Sequence, residues 1–160
     1  MAATFLALVA MVFAVGCGSG DSQTTSTTSS QANAELSKVE FVQRASTICK
    51  AAQERTTEEF GKYINENRIP TSGPGVTEKA ADAFRIVFRP AIEKEIEVLG
   101  ELEPPKSDQQ SVNAILKAMN QGLEEAEKDP LEFIRTSSAL THASRLATAY
   151  GLPACSANSS

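Results

Sequence analysis

Tryptophan is missing from this chain, and histidine occurs once, at position 142. A lone imidazole excludes a multi-histidine metal site and thins the list of acid–base mechanisms. Positive charge is in short supply too. Fifteen Lys and Arg stand against twenty Asp and Glu, a net charge of −5. A nucleic-acid partner wants a basic stripe, so none is expected. Phosphate-cradling loops are missing as well, since Ser72-Gly73-Pro74-Gly75 has no following Lys-Ser/Thr and no preceding strand. Long apolar runs are confined to residues 1–16, which hold no charged side chain. That run falls short of the roughly 20 apolar residues a transmembrane helix needs. Cysteine is scarce, with three in all, at positions 17, 49 and 155.

What is present suits one folded domain behind a targeting segment. The chain has 160 residues, 41% hydrophobic and 22% charged, an ordinary balance for a globular protein. Residues 1–16 have the length of a signal-peptide apolar region. Ala14, Val15 and Gly16 lead directly into Cys17. There the chain resembles a bacterial lipoprotein precursor, whose lipobox sets small residues before a cysteine. The resemblance implies that Cys17 is the lipidation site and that a lipid anchor holds the chain at the extracytoplasmic face of the cell membrane. Ala14 stands where a lipobox favours leucine, and no Lys or Arg precedes it. The other readings of these residues are an ordinary cleaved signal peptide, with Cys17 incidental or removed, and an uncleaved anchor. Residues 17–35 follow, rich in Ser and Thr and without a large apolar side chain. They cannot offset the entropy of ordering and read as a disordered linker. The folded domain is expected over 36–160.

That domain reads as all-α, in the form of an antiparallel four-helix bundle with a kinked second helix. Ser37 and Glu40 have capping-box spacing and open a helix that ends near residue 66. Phe41, Ala45, Ile48, Cys49, Ala52, Phe60 and Tyr63 share one face of it. A second helix starts near Thr77, with Ala81, Phe84, Phe88, Ile92, Ile96 and Leu99 inward. Pro90 lies within it and predicts a kink. Ser107, with Gln110 three residues on, opens the third, whose stripe is Val112, Ile115, Leu116, Met119 and Leu123. Asp129 and Pro130 start the fourth as N-cap and first helical residue. Leu131 and Ile134 fall off the face of Leu140, Ala143, Leu146, Ala147 and Tyr150, which predicts a bend near Ser137 and Ser138. Gly151 and Pro153 close it.

Phe41 to Ala51 and Ala143 to Cys155 each set a cysteine beside an amphipathic helix. On these stretches the chain resembles small actinobacterial helical envelope lipoproteins, which implies the compartment and the helical fold and no activity. If lipid occupies Cys17, then Cys49 and Cys155 remain in an oxidising compartment and are expected to form a disulfide. A fourth helix of about 20 residues, running antiparallel to the first, ends within a turn of Cys49.

No catalytic constellation stands out. His142 is surrounded by hydroxyl residues, and Ala139 occupies the place where a di-iron bundle would put the glutamate of a Glu-x-x-His motif. Glu93, Glu97 and Glu101 form a ladder that could hold a divalent cation but reads as a solvated acidic face. The aromatics Phe41, Phe60, Tyr63, Phe84, Phe88, Phe133 and Tyr150 read as core. No catalytic residue, metal or cofactor is expected. The leading expectation is a non-enzymatic envelope lipoprotein presenting its helical domain to another, unidentified envelope protein. The alternative is a small-molecule or lipid carrier with a cavity between its helices.

Overall fold

The computed structural model describes residues 36–69 and 72–157, all within the compact unit Asn33–Ser160. The expected signal peptide, Cys17 and the linker to residue 35 lie outside the described residues. Every regular element among the described residues is helical, as the absence of any period-2 pattern implied, and no helix among them is long and apolar enough to cross a membrane.

Helix α1 spans Lys38–Asn67. Its start is fixed by reciprocal bonds that satisfy donors otherwise left without partners at a helix N-terminus. The Glu40 N–H donates to Ser37 Oγ at 3.3 Å, and the Ser37 N–H donates to Glu40 Oε2 at 3.0 Å. Phe41, Ala45 and Cys49 are buried along its inward face. Helix continues without a break from Val76 to Gly100: α2 (Val76–Ala83), a π turn (Phe84–Phe88) and α3 (Arg89–Gly100). The π turn has a local cause. Proline has no N–H, and its ring presses on the carbonyl four residues back. Widening the turn just before Pro90 relieves that pressure, and the Arg89 N–H bonds Phe84 O, five residues back.

Helix α4 is Gln109–Lys128. The expected cap at Ser107 is displaced by one residue to Asp108, and the Asp108 side chain does not cap the helix. It accepts the Tyr150 O–H at 2.8 Å instead and lies 3.8 Å from Lys38 Nζ. That Lys38 ammonium also sits 4.4 Å from the centre of the Tyr150 ring. Three distant stretches are thereby clasped at one end of the domain. Tyr150 is pushed up to about 12 by burial and by its bond to Asp108. The same bond is the main influence holding Asp108 below the usual carboxylate range.

The expected fourth helix is two helices. Helix α5 (Pro130–Thr136) is capped as expected, with Asp129 Oδ1 accepting the Glu132 N–H at 3.0 Å. Ser137 then turns left-handed (φ 53°), a 3₁₀ turn follows at Ser138–Leu140, and α6 runs over Thr141–Tyr150. The break lets Leu131 and Ile134 face a different neighbour from Ala143 and Ala147. Gly151 ends α6 at φ 108°, a region where only glycine is free of steric cost. The Pro153–Cys155 turn carries the chain back to α1.

Two apolar clusters form the core. One joins Phe41, Ala45, Cys49, Leu99, Val112, Ile115 and Met119 with Ala143, Ala147 and Leu152. The other joins Phe84, Ile92, Leu123, Ala126 and Phe133. Ile96 packs against both. Gly122 of α4 lets the Ser138–Leu140 turn come close: a Cβ there would stand 2.7 Å from the Ala139 carbonyl oxygen.

Candidate functional site

Cys49 and Cys155 form a disulfide, with Cα atoms 5.0 Å apart across a sequence separation of 106 residues. Gln53, one helical turn beyond Cys49, secures the returning chain. Its side-chain amide donates to Ala154 O at 2.8 Å and to Ser156 O at 3.1 Å.

Beside this bond lies a residue that the sequence reading passed over. Glu95 of α3 stands three residues after Ile92 and four before Leu99, on the inward stripe of its helix and not on the solvated face. One of its carboxyl oxygens and the sulfurs of Cys49 and Cys155 all lie within 4.8 Å of one another. Joined as a disulfide, the sulfurs offer no thiolate to a metal ion. Glu95 is half-buried and has neither a hydrogen bond nor an ion pair with any described residue. Burial alone pushes its carboxyl up to about 7.

Glu95 opens into a cleft of about 180 Å³ where the two core clusters meet. Its walls are apolar: Phe88 from the π turn, Ile92 from α3, Met119 from α4, Phe133 from α5 and Leu140. The Phe88 and Phe133 rings meet edge to face at 5.5 Å. Polar atoms come from Thr56, Thr57, Gln53, Ser137 and Ser144, and Cys155 completes the lining. Glu95 is the one charged side chain among the lining residues. Two irregularities of the backbone shape this cleft. The π turn sets the position of Phe88, and Ser137 sits in the left-handed region at a cost of about 1 to 2 kcal/mol. π turns and strained residues both gather at functional sites. On its other side Glu95 borders a groove of about 350 Å³ between α1 and α3, with Arg55, Glu59 and Lys94 along it.

The residues singled out from sequence fall elsewhere. His142 is exposed on α6. Glu93 accepts from Arg89 Nε at 2.9 Å, and the same guanidinium reaches Glu127 of α4 at 2.7 Å. Glu97 pairs with Lys94 at 2.7 Å. These glutamates are half of local ion pairs on the surface. Of the aromatics expected in the core, Phe41, Phe84 and Phe133 are buried, while Phe88 and Phe133 also wall the cleft. No family model, curated protein or solved structure matches the chain.

Proposed function

We propose that this is a non-enzymatic envelope protein, exported and held at the extracytoplasmic face of the membrane by lipid on Cys17, whose helical domain carries a small molecule. The Glu95 cleft is the observation behind the carrier reading. It joins an apolar wall, an unpartnered carboxyl and two backbone irregularities in one concave site, smaller than most ligand pockets but, like them, mostly apolar with few polar groups. The order of the two sequence-based expectations is thereby reversed. A docking surface for an envelope protein would want exposed apolar anchors. Among the described residues the exposed large apolar side chains are Val39 and Ile86, on separate helical segments.

The export half of the proposal draws support from the disulfide, a bond that persists outside reducing compartments. We also propose that α1, the 76–100 helix, α4 and the broken 130–150 helix pack as an antiparallel four-helix bundle, with the second helix bent at the π turn before Pro90.

Two experiments test this. Cys17→Ser should move the protein from the membrane fraction to the soluble or secreted fraction, and unchanged partitioning would remove the lipid anchor. Native mass spectrometry of protein purified from its own envelope should show a retained small ligand. A uniformly empty protein would return the protein-docking reading to first place.

A further inference from the structure

We propose that the Glu95 cleft is selective for a small organic cation, a primary ammonium on a compact apolar body. This inference rests on the carrier reading above and names its ligand class. Glu95 is a carboxyl without a partner, in a cleft whose other lining residues bear no charge. Two of the lining hydroxyls add acceptors, because their own protons are already used. Thr56 O–H donates to Ala52 O at 2.8 Å and Thr57 O–H to Gln53 O at 2.9 Å. Each oxygen keeps lone pairs and has no proton left to give. A carboxylate beside two such acceptors favours a ligand rich in donors, and an ammonium has three N–H bonds and no acceptor.

The walls define the remainder of the ligand. Phe88 and Phe133 offer aromatic surface, which attracts a cation and packs an apolar body. A hard divalent metal is a poor fit, because it wants six or more oxygen ligands and the cleft supplies one carboxylate. At roughly 30 Å³ of liquid volume per water, the cleft admits a ligand of about six to eight non-hydrogen atoms. Glu95 sits where burial has raised it to about 7, so a bound cation would draw it to the ionised form. The charged groups that face it from packed elements are Arg55 and Glu59 of α1, along the adjoining groove, with Lys94 of its own helix. From α4, α5, α6 and the C-terminal turn the facing residues are uncharged.

The test titrates the full chain calorimetrically with hexylammonium chloride and with hexan-1-ol, neutral and equal in heavy-atom count. At pH 8 hexylammonium should bind at least tenfold more tightly. Glu95→Gln should abolish that preference while still binding hexanol, which shows the cleft intact. In the unaltered protein the preference should shrink by about tenfold between pH 8 and pH 6, as Glu95 takes up its proton. This pH arm decides the matter should the variant fail to fold. Equal binding of the two probes at pH 8 would overturn cation selectivity while leaving a carrier of neutral molecules. Binding of neither probe would overturn the cation site and the carrier reading together.

Discussion

Replacing Glu95 by glutamine should alter how stability depends on pH, and the direction follows from where the carboxyl sits. An ordinary glutamate here would lose its proton near 4.5; in the folded chain Glu95 holds it to about 7. Below pH 4.5 both folded and unfolded chains are protonated at this residue, and it does not bias folding. As pH rises from 4.5 to 7, the unfolded chain releases a proton that the folded chain keeps, so unfolding is increasingly favoured. Above pH 7 the folded chain must hold a partly desolvated carboxylate, and the full penalty applies. Each pH unit in that window is worth about 1.4 kcal/mol, giving a penalty of about 3 kcal/mol, which water in the open cleft lowers toward about 2. Glutamine has nearly the same shape and never ionises. Urea unfolding followed by far-ultraviolet circular dichroism, at pH 5, 6, 7 and 8, measures the gap between the two proteins. Arg55, Glu59 and Lys94 are common to both, so only their coupling to Glu95 enters the difference. About a quarter of the penalty is already present at pH 5, so the gap should widen in favour of Glu95→Gln by about 1.5 to 2.5 kcal/mol from pH 5 to pH 8. A gap that stays flat would show that Glu95 is solvated or paired in solution, and the cleft would lose its central feature.

The disulfide gives a second expectation. Intact mass after alkylation without reductant should show Cys49 and Cys155 unlabelled, and labelling of both would refute the bond. Changing both to alanine should lower stability by about 2 to 5 kcal/mol, the chain-entropy figure for so long a closed span lying near the top of that range. Gly122→Ala should destabilise by about 1 to 3 kcal/mol through contact with the Ala139 carbonyl, although alanine is the better helix former by about 1 kcal/mol. Thermal unfolding of that variant reads the sign directly, and a raised melting temperature would refute the close approach.

Features with short-range causes were legible in the sequence. Ser37 with Glu40, Asp129 with Pro130, and Gly151 with Pro153 act within a few residues of themselves, and each stands at the helix end where it was expected. The bend expected near Ser137 arises from two apolar faces out of phase, and the chain breaks there. The pairing of Cys49 with Cys155 followed from an expected oxidising compartment and from helix lengths. Longer-range effects were not legible. Asp108 leaves its helix N-terminus for a phenol 42 residues away, an attraction that no local pattern encodes. Gly122 looks like an ordinary weak spot in a helix until the 138–140 turn is laid against it. Glu95 was hidden in plain view. Read with Glu93, Glu97 and Glu101 it joins an acidic stretch, but read with Ile92 and Leu99 it occupies a core position. The spacing alone could have separated it from its neighbours.

The distance along the chain between the two bonded cysteines has a consequence for biosynthesis. A protein is made from its N-terminus onward, so Cys49 is present long before its mate. Through almost the whole of synthesis it is an unpaired thiol, on a helix whose inward face is covered in stages, by Leu99, Val112, Ile115 and Met119 and only last by Ala143, Ala147 and Leu152. Any chain that stops short of Cys155 lacks the native partner of that thiol. It also lacks the Ala154 and Ser156 carbonyls that Gln53 holds. A free sulfhydryl at position 49 therefore marks a chain that is truncated or not yet oxidised, and its pairing with Cys155 marks a complete one. Quality control by thiol chemistry could tell the two apart without sensing the fold at all.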